Sequence, residues 1–385
     1  MKTKLENQIL TIYLGGEINS YNADNVEKEI LGTIQNQKFE KLVLDFSSVS
    51  YISSAGLRII LKLKQLYNNF SVVETSLEVY DIFNMTGFTN IMDIKKGLKR
   101  VYLSGAEVIG DGYYSTVYRI DKDTIIKVFN RVSDPEQIER ELKLAKEAFI
   151  LGIPTAISFD IVRVDDEKLG VRFEMLDCDS LKNVIVKYPE RNEEFVEKYA
   201  ALLKKMNTTE CNDPLIPNMK AHYLRKLEKI KSYLPEEANL KLFKMFSAIP
   251  ERNTLIHGDC HFKNIMVQND ELLLIDMDTL SVGYPIFEWA SLYAPYVAFN
   301  EDEPGNSLQF FGIKDEAAFA LYNALLKRYF GKEDEVIKDK IKIVGYVHMV
   351  RWTTNNQPEN TKRIEGCRNR LLKLLEKYDD LDIGL

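Results

Sequence analysis

The sequence is poor in the residues that mark disulfide-stapled or zinc-built proteins. It holds four cysteines in 385 residues, Cys178, Cys211, Cys260 and Cys367, none in C-x-x-C spacing, and only four histidines. A chain of this length can bury its own cores, so it has no need of a disulfide framework. No zinc ligand set of ordinary spacing is visible. A basic excess is missing too: the net charge is −7, which argues against a dedicated nucleic-acid binder. No apolar run reaches the roughly 18 residues of a membrane-spanning helix. The first apolar run, Ile9 to Leu14, is too short for a signal-peptide core and meets Gly15-Gly16-Glu17 rather than a cleavage site. These gaps together predict a soluble, cytoplasmic protein with neither nucleic acid nor membrane as partner.

What is present is ordinary globular composition, 45% hydrophobic and 28% charged. At about 100–200 residues per domain, two or three domains are expected, and the chain divides near residue 100. Residues 1–97 read as a small α/β unit. Ile9 to Leu14 is rich in strand formers. Val26, Ile30 and Ile34 repeat at helical spacing, and Leu42 to Phe46 is a short buried strand followed by a polar turn. Leu57, Ile60 and Leu61 open a second amphipathic helix, Phe70 to Glu74 predicts another strand, and Leu77 to Met85 a short helix stopped at Gly87. Alternation of this kind predicts a mixed sheet with crossover helices.

Two of these segments, LVLDFSSVSYISSAGLR at Leu42 to Arg58 and Phe83 to Phe88, resemble STAS domains of the anti-sigma-factor antagonist type. In that family a serine just before the second helix is phosphorylated by a partner kinase. The resemblance puts that serine at Ser54, with Ser53 where the family has Asp, and implies a protein partner such as an anti-sigma factor. Physically, Ser54 lies where a helix begins, and the unpaired N–H groups and dipole there favour a phosphate. The competing reading is that Ser53 or Ser54 simply caps the helix.

Residues 105–385 carry five segments in fixed order. Gly110-Asp111-Gly112-Tyr113-Tyr114-Ser115-Thr116-Val117-Tyr118 has the form of a glycine-rich loop between two strands, where backbone amides can approach phosphate oxygens. Ile125 to Phe129 places Lys127 in an apolar strand, where an ammonium needs a carboxylate or phosphate. Pro135 to Phe149 is a charged amphipathic helix. Leu142, Ala145, Ala148 and Phe149 mark its buried side, which favours Glu141 over Glu139 as the partner of Lys127. His257 to Asn264 contains Asp-x-x-x-x-Asn. There Asp259 can accept a hydroxyl proton, and Asn264 can offer an amide oxygen to Mg²⁺. Leu272 to Asp278 is a buried strand ending in Asp276, with Asp278 either in a metal site or hydrogen-bonded within the loop.

The set H-G-D-x-x-x-x-N followed by Ile275-Asp276-Met277-Asp278 resembles the aminoglycoside/choline phosphotransferase superfamily, which has a protein-kinase-like fold. The resemblance implies ATP and Mg²⁺ as cofactors, Lys127 on the α/β-phosphates, Asp259 as base, and Asn264 and Asp276 as metal ligands. It implies Gly110, Gly112 and Ser115 around the phosphates, and backbone groups near Glu174 and Leu176 at adenine. His257 reads as structural. So does the later Gly283 to Ala290 segment, where Tyr284 and Glu288 replace two Asp of the superfamily. His261 and Cys260 lack companions for a zinc site. Asn300-Glu301-Asp302-Glu303 either meets a cationic amine or is a solvated loop.

The expected architecture is therefore an α/β STAS-type domain at 1–97, a linker at 98–104, and an α+β bilobal kinase-like phosphotransferase domain. Its N-lobe spans 105–177 and its helical C-lobe 178–385. The expected acceptor is a hydroxyl of a small molecule, aminoglycoside-, choline- or sugar-like. The alternatives are a protein serine such as Ser54, since tethering raises effective concentration, and a non-catalytic nucleotide-binding adaptor. Absence of an Ala-Pro-Glu activation segment favours the small molecule.

Overall fold

The chain divides into two units, Met1–Tyr102 and Leu103–Leu385, in a computed structural model that describes every residue except Asn36, Tyr113, Tyr114, 131–134 and Asp166. In the first unit, strands Lys2–Glu6, Ile9–Ile18, Lys41–Ile52, Phe70–Thr75 and Asp93–Lys96 form one sheet in chain order. The first pair is antiparallel, and the other three pairings are parallel. Parallel neighbours need crossovers, and helices Ala23–Ile34, Ser54–Leu66 and Leu77–Met85 supply them. Leu10, Ile12, Leu42, Leu44, Phe46 and Val72 make the fully buried centre.

The polar turn expected after Phe46 is absent. Ser47 to Ser50 stay in the strand because Gly15, Gly16 and Glu17 of the neighbouring strand pair with Ser48, Val49 and Tyr51. The ladder overrides the weak strand preference of serine. The helix that follows is capped by Ser53, whose Oγ accepts the Gly56 N–H at 3.4 Å, and Ser54 is its exposed first residue. The segment expected as a linker, 98–104, carries a short strand, Lys99–Val101.

In the second unit, strands Glu107–Asp111, Ser115–Arg119, Thr124–Phe129, Lys168–Glu174 and Ser158–Val164 lie side by side in that order, all antiparallel. Thr124–Phe129 is central, with Lys127 opposite Val117 on one side and Val171 on the other. Helix Pro135–Ile150 turns Ile138, Glu141, Leu144, Ala145 and Ala148 inward. Phe149, expected on that face, is 48% exposed. The inward stripe starts at Ile138, so Glu141 sits within it rather than at its edge. In the helical lobe, Phe195, Tyr199, Leu202, Leu203 and Met206 of helix Asn192–Thr208 are buried core. Two small sheets, one of Asp179–Ser180, Ile265–Gln268 and Glu271–Leu274 and one of Leu255–Ile256 and Ser281–Val282, hold the loops of the site.

Among the glycines of the first unit, Gly56 is the most closely packed: a Cβ there would sit 2.7 Å from Ile52 Cγ1 and 2.9 Å from Ile18 Cγ2. Gly56→Ala is expected to destabilise this unit by about 1–3 kcal/mol. Amide hydrogen exchange of the 41–52 and 9–18 strands should speed up accordingly, with the second unit unchanged.

Candidate active site

Lys127 is the first fixed point. Its Nζ donates to Glu141 Oε1 at 2.6 Å and to Asp276 Oδ1 at 2.7 Å. The Lys127 and Glu141 side chains retain 15% and 11% exposure, so each charge depends on the other for compensation. Burial works against the Lys127 charge, but Asp276 and Glu141 outweigh it and hold the proton on firmly. Glu139 is an exposed neighbour, so the choice of Glu141 stands in the geometry.

The loop 257–264 is the second. Gly258 has φ +80°, and a Cβ there would meet Met219 Cε and Thr279 O, each at 3.2 Å. His257 Nδ1 accepts the Asp259 N–H at 3.3 Å, which leaves Nε2–H to donate to the Ile275 carbonyl at 3.1 Å. Burial keeps this imidazole neutral, pushed down to about 4. His257 therefore bridges loop and strand, as its structural reading anticipated. Asn264 Nδ2 donates to Asp259 O at 2.9 Å and to Asp259 Oδ2 at 3.1 Å. Both amide hydrogens are thereby directed at Asp259, and Oδ1 remains as an oxygen donor. Burial, then the charge of Asp276, raises the Asp259 carboxyl to about 7, while the Asn264 bond opposes them.

Asp276 adopts the left-handed region, φ 64° and ψ 64°, which a residue with a Cβ rarely occupies. The turn is held from both sides: Ile275 N–H bonds Asn264 O at 3.0 Å, and Thr279 Oγ1 bonds His257 O at 2.6 Å. Such over-determined strain is common at functional sites. Desolvation opposes the Asp276 charge, but Lys127 outweighs it and keeps the carboxyl below its ordinary range. Asp278 is raised, by desolvation and then by Asp276.

The residue that motif reading undervalued is Glu288. It has no exposure, and its two oxygens accept the N–H of His257 at 2.6 Å and of Gly258 at 3.2 Å. A carboxylate inside Ile286–Tyr293, an otherwise apolar helix apart from Ser291, must find donors. That imbalance was the signal. Tyr284 serves the C-terminal segment instead. Its hydroxyl bonds Asp382 Oδ1 at 2.5 Å and accepts the N–H of Ile383 and Leu385.

The remaining expected residues are dispersed around this centre. Gly110 and Ser115 lie on the two strands of a hairpin, and Gly112 N–H bonds Ser115 O at 2.9 Å. Tyr113 and Tyr114 of the glycine-rich segment lie outside the described residues. At the end of strand Lys168–Glu174, Glu174 is more occupied than expected. Its N–H bonds Ile157 O at 2.9 Å, and its carboxylate accepts the Ile157 N–H at 2.7 Å. Leu176 follows in an irregular segment, where its carbonyl accepts the Cys178 thiol at 3.5 Å. The acidic run at 300–303 is neither a solvated loop nor free for a cation. Glu301 and Asp302 pair with Arg370 at 3.0 and 2.5 Å, Glu303 pairs with Arg363, and the Tyr293 and Tyr346 hydroxyls bond Glu301. His261 packs edge-on against Phe310 and Phe311, and its Nε2 lies 3.5 Å from Asp259 Oδ1.

Residues 105–322 match the phosphotransferase enzyme family, and the chain belongs to it. Residues 1–101 match the STAS domain. The protein is thus a kinase-type phosphotransferase carrying an N-terminal STAS domain. BtrV of Bordetella bronchiseptica, named for anti-sigma factor antagonism, is 32% identical over 90 residues, which are 22% of this chain and 77% of that relative. Among solved structures, a choline/ethanolamine kinase family protein from Mesorhizobium loti is 15% identical with a TM-score of 0.46, covering 71% of this chain and 88% of its own. The ADP-bound aminoglycoside phosphotransferase APH(2'')-Ib is 14% identical with a TM-score of 0.49, covering 77% and 98%. No helix among the described residues is long and apolar enough to cross a membrane.

Because Glu288 takes both loop amides, Glu288→Ala leaves two buried N–H groups unpaired. Loss of about 2 kcal/mol or more is expected, read by chemical denaturation. In phosphotransfer kinetics the same variant should lower kcat at least about tenfold while the nucleotide KM changes little, since Glu288 fixes the loop that carries Asp259, the residue proposed below as base.

Proposed function

We propose that the chain transfers the γ-phosphate of ATP, with Mg²⁺, to a hydroxyl of a small molecule. The observation that carries this is the meeting of Lys127, Glu141 and Asp276 within bonding distance, beside a loop that aims Asn264 at Asp259. Phosphoryl transfer needs positioning and charge neutralisation more than covalent help. A cation there would neutralise charge developing on the phosphates. The Asp276 carboxylate and Asn264 Oδ1 are hard oxygen donors that fit Mg²⁺, which takes few protein ligands and completes its shell with phosphates and water.

In this reading Lys127 holds the α/β-phosphates while Glu141 orients it. The hairpin of Gly110, Gly112 and Ser115 covers the phosphates. The Glu174 carbonyl and Leu176 N–H meet adenine. Asp259 accepts the proton of the attacking hydroxyl, and Glu288 keeps the backbone of its loop in place. The raised carboxyl of Asp259 suits a base that must take a proton and release it.

A second reading has a specific support. Ser53 does the capping, so Ser54 is exposed at the first helical position with its hydroxyl spared that role. We propose Ser54 as a phosphate acceptor, in cis or trans, and the STAS domain as the docking unit for a protein partner such as an anti-sigma factor.

Asp259→Asn should cut phosphotransfer by about 10²–10⁴-fold, and chelation of Mg²⁺ should abolish it, both measured as ADP release. Intact-mass analysis of the full chain after incubation with ATP and Mg²⁺ separates the two acceptors. Gain of one phosphate that maps to Ser54, and disappears in Ser54→Ala and Asp259→Asn, supports the second. An unmodified chain that releases ADP only with an added alcohol supports the first. An ATP-binding protein that transfers to neither refutes both.

A further inference from the structure

One group of basic side chains, Arg225, Lys226, Lys229 and Arg351, lines a groove between helices Met219–Ile230 and Glu335–Asn356, and no residue of the active site lines it with them. A different pair adjoins Asp259. Lys263 follows four residues later in the same loop, and its Nζ sits 4.4 Å from the centre of the Phe310 ring. Phe310 also packs edge-on against His261, with 5.2 Å between ring centres, and His261 Nε2 is 3.5 Å from Asp259 Oδ1. A run of neighbouring side chains therefore joins the Asp259 carboxylate to the Lys263 ammonium. Lys182, on helix Leu181–Lys187, reaches the same segment. Its Cε lies 3.7 Å from where a Cβ on Gly312 would stand, two residues after Phe310.

These charges act on one another. Burial and then the charge of Lys182 lower the Lys263 ammonium below its ordinary range, while Asp259 raises it. Asp259 in turn feels Asp276 on the phosphate-binding side of its surroundings and Lys263 as an opposing charge. Lys127 belongs to another neighbourhood, that of Asp276, Glu141 and Asp278. Among the described residues neither Lys182 nor Lys263 takes an ion pair. Asp179, three residues before Lys182, is committed within its own turn: its Oδ1 accepts the Ser180 N–H at 2.8 Å and Asn183 Nδ2 at 2.7 Å. The Phe310 face steadies the Lys263 ammonium without neutralising it. An anion bound by both lysines would relieve their mutual repulsion and gain charge-assisted hydrogen bonds. A cationic acceptor has no such welcome, because the acidic run at 301–303 is committed to Arg363 and Arg370.

We propose that Lys182 and Lys263 receive the phosphate or carboxylate of a small anionic alcohol, whose hydroxyl meets Asp259 and is the acceptor in the phosphotransfer reaction. The inference rests on the small-molecule reading above and narrows its acceptor from aminoglycoside-, choline- or neutral sugar-like to anionic. In the step, the acceptor oxygen bonds the γ-phosphorus of ATP. The bond from that phosphorus to the β-bridging oxygen breaks, its electron pair leaves with ADP, and Asp259 takes the hydroxyl proton.

The test uses the full chain with ATP and Mg²⁺. Anionic probes are glucose 6-phosphate, glycerol 3-phosphate and glycerate, neutral counterparts are glucose and glycerol, and cationic probes are choline and kanamycin. Turnover is read as ADP release, and binding of ATP is read separately by calorimetry. Expected is turnover of an anionic probe over its neutral counterpart; the phosphorylated and carboxylated arms tell which anion is read. Lys182→Gln and Lys263→Gln should each raise the KM of that probe about tenfold, the worth of one charge-assisted bond, and leave kcat and the KM of ATP within about twofold. Lys182→Arg and Lys263→Arg, which keep the charge, should retain most of the affinity. Thermal melting confirms that the variants fold. Variants that raise the KM of ATP and leave that of the anionic probe unchanged put both lysines on the nucleotide and overturn this inference. Turnover of glucose, glycerol, choline or kanamycin with the anionic probes inert overturns it and leaves the phosphotransferase reading intact. So does an ATP-binding chain that turns over none of the three anionic probes. Failure to bind ATP at all overturns the phosphotransferase reading and this inference with it.

Discussion

The ammonium of Lys127 organises the second unit. It sits in the middle strand of a sheet, where a lone positive charge would be costly, and two carboxylates from distant parts of the chain converge on it. One comes from the helix that covers the sheet, the other from the turn after strand Glu271–Leu274 in the helical lobe. The same charge thus links the two lobes. Nearby, Thr155 Oγ1 on Leu274 O at 2.7 Å and Leu274 N–H on Pro154 O at 2.7 Å reinforce that link through the backbone.

The loop carrying Asp259 depends on a second buried charge. Glu288 replaces solvent for two backbone amides, His257 ties the loop to Ile275, and Thr279 closes it from the other side. Asp276 can hold its left-handed backbone because these bonds fix both flanks of the turn. Carboxylates at 301–303 are locked to arginines, whereas the charged side chains lining the groove beside helix Met219–Ile230 are all basic.

Much of this was written in local pattern. Lys127 in an apolar strand, Glu141 on a helix stripe, and Asp259 with Asn264 at five-residue spacing are each short-range signals, and the geometry brings them together. Both parts of the two-unit organisation were visible as a change of motif near residue 100. Other features had little or no local mark. Ser47 to Ser50 looked like a turn and became strand because a neighbour chosen by the fold supplies its hydrogen bonds. Glu288 carried a partial mark, a carboxylate in an apolar helix, but the amides it serves lie 30 and 31 residues earlier in the chain. The acidic run at 300–303 looked solvated because its arginines lie 60 or more residues downstream.

The sequence by itself determined the kind of chemistry: which side chains can hold phosphates, accept a proton or offer hard oxygen to a cation depends on residue type and on spacing within a few residues. Tertiary structure alone decided which charges remain available. Glu301, Asp302 and Glu303 are consumed by partners on another helix, while Lys226, Arg225, Lys229 and Arg351 are left facing a common space. Pairing of charges depends on distance through space at the few-ångström scale, and chain separation carries no information about that distance.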